Sequence, residues 1–132
     1  MIVVDASAVV DFVLRTARSA AVEDHLFADG ASLHAPELLD YEILSALRRW
    51  ERRGELDVES AEEALDDSRE LPISLYPIRP LVDRAWALRE NLTPADGLYA
   101  ALAETLGASL LTTDGALARA VSRHTDADVL AL

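Results

Sequence analysis

The chain has 132 residues, 51% of them hydrophobic, which suits one domain able to bury a substantial core without disulfides or structural metals. It has no Cys, which excludes disulfides and thiolate zinc sites, and His25, His34 and His124 are too scattered to suggest a zinc cluster. The formal net charge of −12 opposes non-specific binding of a polyanion unless cations are concentrated where it docks; all 12 basic residues are Arg, suited to bidentate phosphate contact, and an acidic surface also suits a basic protein partner.

The run Met1-Ile2-Val3-Val4-Asp5 has no basic stretch ahead of an apolar segment, and no later run approaches bilayer-spanning length, so a soluble, cytoplasmic protein is expected. Ile2 to Val4 reads as a first β-strand, and Ser32 to Ala35 as a second. After Pro36, Glu37 to Arg53 places Leu39, Ile43, Ala46, Leu47 and Trp50 on one stripe and stops at Gly54, the pattern of an amphipathic helix. Asp57 can cap the next helix, with Val58, Ala61 and Leu65 on its apolar side. The charge-dense stretch Glu51 to Glu70 fits solvated helical faces around a short turn. Ile73 to Tyr76 is a third strand, and Leu81, Ala85, Leu88 and Leu92 mark a helix after Pro80. Thr93 and Pro94 open another that ends at Gly107, followed by strands at Ser109 to Thr113 and Asp128 to Leu132. The alternation predicts α/β architecture with a central, mainly parallel sheet flanked by helices, in one domain over residues 1–132.

Ligands of open α/β sheets bind beyond the carboxyl ends of the strands, so acids that close apolar strands are the first candidates. Asp5 closes Ile2-Val3-Val4, and Asp114 closes Ser109 to Thr113. Each can point into a shared crevice, or simply cap the helix that follows it. Glu42 sits at the edge of the Glu37 helix's buried face, with the small Ser45 and Ala46 one turn on; it is either an ordinary exposed Glu or a carboxylate with room to approach another element. Asp96 matches a capping pattern in Thr93-Pro94-Ala95-Asp96, and capping does not exclude a second role. Four acids drawn together raise one another's pKa, so such a cluster persists mainly around a cation. Oxygen-only ligands select hard ions, Mg²⁺ first with Mn²⁺ as a substitute, and the chemistry that follows is phosphodiester hydrolysis.

These residues resemble the PIN domain, in particular the VapC toxins of bacterial toxin–antitoxin pairs. Val3-Val4-Asp5-Ala6-Ser7-Ala8 is similar to the family's strand-then-DxS opening, and Pro36-Glu37-Leu38-Leu39-Asp40-Tyr41-Glu42 to its central Glu helix. Asn91 to Ala103 and Leu110-Leu111-Thr112-Thr113-Asp114 resemble its third and fourth acid motifs. The resemblance implies a PIN-like fold and a metal-dependent endoribonuclease, with Asp5 and Asp96 as direct Mg²⁺ ligands and Glu42 and Asp114 completing the site directly or through water. It also implies support of the ligands by hydrogen bonds from Ser7 and Thr112. The implied partners are RNA, tRNA or another structured RNA among the candidates, a cognate antitoxin whose tail reaches the active site, and a second copy in a homodimer. The chain departs from the family pattern at Ala95, where many relatives carry Tyr, and in having no further acid close after Asp114.

A phospho-receiver domain also gathers acids at strand ends around Mg²⁺, but it needs a Lys, and the chain has none. A haloacid-dehalogenase-like phosphatase needs a second Asp where Ser7 stands. The alternative from another class is a catalytically weak PIN-like module that acts through an antitoxin in an operator-binding complex. For Arg48, Arg49, Arg52 and Arg53, phosphate steering competes with a solvated helix end where cations suit the dipole.

Overall fold

All five β-prone runs form strands in the computed structural model, which describes residues 1–132. They are β1 (Ile2–Val4), β2 (Leu33–Pro36), β3 (Ile73–Tyr76), β4 (Ser109–Thr112) and β5 (Val129–Ala131), in the order β3-β2-β1-β4-β5. Every pairing is parallel. A parallel sheet covered on both faces needs apolar strands rather than alternating ones. The central strands comply, since Val3, Val4, Leu110 and Leu111 are wholly buried.

Seven helices surround the sheet: α1 (Ala6–Val13), α2 (Ser19–Leu26), α3 (Leu38–Arg52), α4 (Val58–Glu70), α5 (Val82–Ala87), α6 (Pro94–Leu106) and α7 (Gly115–His124). The chain steps outward from β1 through β2 to β3, then returns past β1 to β4 and β5. With right-handed crossovers this places α1 to α4 on one face and α5 to α7 on the other. Contacts agree: α1 touches α2, α3 and α4, while α6 touches α5 and lies across β1, β2 and β4. The alanines of α6 permit this central position, since Ala100, Ala101 and Ala103 are buried with Tyr99 and Leu102. No helix is long and apolar enough to cross a membrane.

The capping signals were legible. Asp57 accepts from Ser60 N at 2.7 Å, and Thr93 Oγ1 accepts from Asp96 N at 3.2 Å. Two elements differ from expectation. The stripe Leu81, Ala85, Leu88, Leu92 is buried as a whole, but regular helix ends at Ala87, after a 3-10 turn over Arg79–Leu81. The chain then turns, and Thr93 takes the extended conformation (ψ 160°) that a residue before proline prefers. The second difference is α2, which no sequence signal marked: only Val22 and Leu26 of its eight residues are buried, and Arg18 at its start makes no side-chain cap. Trp86 is exposed, with the Arg89 guanidinium 4.6 Å from its ring centre, and is no part of the core.

Candidate active site

The topology brings the site together at the point where strand order reverses, between β1 and β4. Val4 is in register with Leu111, so the next residues, Asp5 and Thr112, lie side by side at the carboxyl end of both strands. Asp5 N donates to the Leu111 carbonyl at 3.0 Å, which holds the backbone there. The Asp5 carboxylate is buried, only 6% exposed. Its Oδ2 accepts from Ser7 Oγ at 2.5 Å and from Thr112 Oγ1 at 2.9 Å, and these two hydroxyls lie 3.1 Å apart. Oδ1 is left without a side-chain donor. The amides of Ala6 and Ser7 are oriented favourably toward the carboxylate, but neither closes a capping bond at the start of α1. Burial pushes the Asp5 pKa above the usual carboxylate range, and the Ser7 and Thr112 hydroxyls temper the rise.

Asp114 follows the same strand-then-acid pattern and takes a different role. Its Oδ1 accepts from Ala116 N at 2.9 Å and Leu117 N at 3.2 Å, capping α7, and the residue is exposed. Its amide donates to Thr112 Oγ1 at 3.0 Å, so Thr112 ties the two strand ends together. Asp96 lies in the first turn of α6, where Gly97 lets α5 pack closely: a Cβ at Gly97 would stand 3.2 Å from Ala85 Cα. Burial raises the Asp96 pKa, the Thr93 hydroxyl lowers it, and the charges of Asp5 and Asp114 raise it further.

Glu42 projects from α3, one turn before Ser45 and Ala46, which line the cleft beside it. Its Oε1 is buried without a hydrogen-bond partner, as is the hydroxyl of Tyr99 on α6. Burial raises the Glu42 pKa; the neighbouring Tyr99 hydroxyl offsets part of the rise without reaching hydrogen-bonding geometry, Asp5 and Asp96 add to it, and the Arg49 charge lowers it. An orphaned carboxylate oxygen facing two other acids is costly in a folded protein unless a cation or donor arrives.

Asp5, Glu42, Asp96 and Asp114 thus come from four separate elements and line one open cleft of about 590 Å³. They do not form a ready-made cage, since no three acidic or histidine side chains lie at metal-ligating separation. That is compatible with Mg²⁺, which is commonly held by one or two carboxylates, with water and substrate phosphate filling the other positions. The cleft also contains residues that the sequence reading did not single out. Asp11, on the α1 face one turn after Ser7, accepts from Thr113 Oγ1 at 2.6 Å and Thr16 Oγ1 at 2.7 Å, and Arg18 Nη1 donates to the Thr113 carbonyl at 2.7 Å. The i, i+4 spacing of Ser7 and Asp11 on a helix starting at the first acid was the available signal for Asp11; nothing local marked Arg18. Of the four clustered arginines, only Arg49 lines this cleft, while Arg48 borders the apolar groove between α3 and α4.

The chain is similar to known proteins along most of its length. The PIN domain family model matches residues 2–122. Ribonuclease VapC3 of Mycobacterium tuberculosis is 45% identical over 120 residues, covering 90% of this chain and 86% of that one. Ribonuclease VapC12 of the same organism is 37% identical over 131 residues, covering 99% of this chain and all of the relative. The crystal structure of PAE2754 from Pyrobaculum aerophilum superposes with a TM-score of 0.70 over 97% of this chain and 81% of that one; at 24% identity it attests the fold. A five-stranded parallel sheet carrying acids at its reversal point, a family match along nearly the whole chain and near-full-length homologues lead to one assignment: the chain belongs to the PIN-domain family and is homologous to the VapC ribonucleases.

Proposed function

We propose that the chain is a metal-dependent endoribonuclease, the toxin of a toxin–antitoxin pair, that hydrolyses RNA phosphodiester bonds at the cleft of Asp5, Glu42, Asp96 and Asp114. The observation that carries this reading is the convergence of four carboxylates from four elements on one cleft, with the Glu42 Oε1 left orphaned there. Asp5 and Asp96 would hold Mg²⁺, or Mn²⁺ in its place, with Glu42 and Asp114 completing the site directly or through water. When bound, such an ion supplies a hard Lewis acid for activating water and for taking up charge on the leaving oxygen. The chain's own residues supply the rest. Ser7 and Thr112 hold Asp5 by its Oδ2 and leave Oδ1 for ligation. Glu42, whose burial raises its proton affinity, is suited to take the proton from the attacking water. Breaking the P–O3′ bond leaves a 5′-phosphate and a 3′-hydroxyl. The acidic surface suits a basic antitoxin, and the exposed Tyr41, Leu44 and Val58 on α3 and α4 offer apolar area to a protein partner, the antitoxin or the second copy of a homodimer.

The test is incubation of the purified, antitoxin-free protein with a labelled total-RNA pool in Mg²⁺, in Mn²⁺ and in EDTA, beside an identically purified Asp96→Asn variant. Discrete metal-dependent fragments absent with the variant are expected. Equal cutting by both proteins, or cutting that persists in EDTA, would refute the reading.

A further inference from the structure

The charge of the cleft opposes its substrate. Asp5, Asp11, Glu42, Asp96 and Asp114 all line it, on a chain of formal net charge −12. An RNA strand approaching five carboxylates is repelled over a Debye length, about 8–10 Å at moderate salt, and one divalent ion offsets only part of that field. Two guanidiniums line the same cleft, Arg18 from the connection between α1 and α2, and Arg49 from α3, two turns after Glu42. Both are exposed, and neither pairs with an acid: the ion pairs of the chain are Arg69 with Asp66 and Arg84 with Glu104. Arg18 spends one donor on the Thr113 carbonyl, which fixes it beside the Asp114 turn and leaves its other N–H groups free. Two arginines left unpaired along a wall rich in carboxylates are available to a ligand that brings its own negative charge.

Building on the ribonuclease reading above, we propose that Arg18 and Arg49 are positioning residues that hold two backbone phosphates of the RNA neighbouring the scissile one. The planar fork of each guanidinium matches a phosphate bidentately, and the contact carries no base information. The two residues therefore set affinity and register at the acids, uniformly across sequences. Arg52 and Arg53, further along the same helix end, do not line the cleft and take no part.

The test measures binding of a short fluorescein-labelled single-stranded RNA of mixed sequence by anisotropy, over a KCl series at fixed low Mg²⁺. All proteins carry Asp96→Asn to prevent cleavage. Arg18→Gln and Arg49→Gln are each expected to weaken binding roughly tenfold and to lower the slope of log affinity against log salt by about 0.7. Arg18→Lys and Arg49→Lys restore the slope, and Arg53→Gln changes neither quantity. Thermal melts accompany each variant, because Arg18→Gln also removes the bond to Thr113; Arg49→Gln removes no hydrogen bond but withdraws a charge that favours the Glu42 carboxylate, so its effect is read beside Glu42→Gln, in which that coupling is absent. An unchanged slope in Arg49→Gln and Arg18→Gln, beside metal-dependent cleavage by the wild-type protein, would overturn the proposal and leave the nuclease reading standing. Absence of salt-dependent RNA binding by the parent, together with absence of cleavage by the wild-type protein, would overturn both.

Discussion

The ends of β1 and β4 carry the same sequence pattern, an apolar strand closed by Asp and followed by a small residue, and the fold uses them in opposite ways. Asp114 is exposed and accepts hydrogen bonds from two amides of α7, so it stabilises the structure that displays it. Asp5 is buried, makes no capping bond and rests on two hydroxyls, with burial working against its charge. One carboxylate serves the helix; the other is held at a cost to stability. Under the proposed function, the two acids at these strand ends then play different parts: Asp5, left with a free oxygen, as a direct metal ligand, and Asp114 as a helix cap that completes the site directly or through water.

Substitutions at the two positions should separate these roles. The largest expected effect is Asp5→Asn, which should lower RNA cleavage on the order of a thousandfold, read as kcat/KM on a purified fragment of the RNA pool. Thr112→Val removes the hydroxyl that touches both strand ends and should lower Mn²⁺ affinity or cleavage about 10- to 100-fold, with Ser7→Ala at the weaker end of that range. Asp114→Ala should cost about 1 kcal/mol of stability in urea unfolding through loss of the α7 cap, whereas Asp114→Asn, which keeps an acceptor oxygen, should cost little.

The smallest expected effect is in pH dependence. The carboxyls of Asp5, Glu42 and Asp96 all titrate above their ordinary range in the metal-free protein. Their protonated forms are favoured by folding, so the stability they contribute is full below the unfolded-state pKa and is lost as pH rises through the folded values. Metal binding needs the charged forms, so Mn²⁺ affinity should climb through that same window. Asp114→Asn removes one repelling charge from Asp96 and should move the midpoint of the climb to lower pH.

Much of this was legible because strand ends and helix starts leave strong local marks. Asp5 and Asp114 follow apolar runs, Asp96 sits behind Thr93-Pro94, and Glu42 borders the stripe of Leu39, Ile43 and Leu47. The family resemblance then placed these acids in one order; the β1–β4 register brings the strand ends of Asp5 and Asp114 together, while Glu42 and Asp96 reach the same cleft from α3 and α6. What sequence did not reveal depends on contacts distant along the chain. Arg18 reaches the site only because α1 and α2 turn back toward Thr113, and α2 itself buries too few residues to show a period. The α5 stripe was read correctly as buried but too long as a helix, because turns can bury leucines at the same spacing. Among the clustered arginines, the one-residue difference between Arg48 and Arg49 rotates a side chain by about 100° around α3, enough to move it from the apolar groove to the acidic cleft.

The most direct test of the account is a thermal melt of wild-type protein and Asp5→Asn at neutral pH, each in EDTA and in millimolar Mg²⁺. If Asp5 is held at a cost to stability in order to meet a cation, Asp5→Asn melts about 2–4 °C higher than wild type in EDTA, and only the wild-type protein gains from Mg²⁺. A variant that melts lower in EDTA, or that gains as much from Mg²⁺ as the wild-type protein, would contradict the proposal that Asp5 holds the metal.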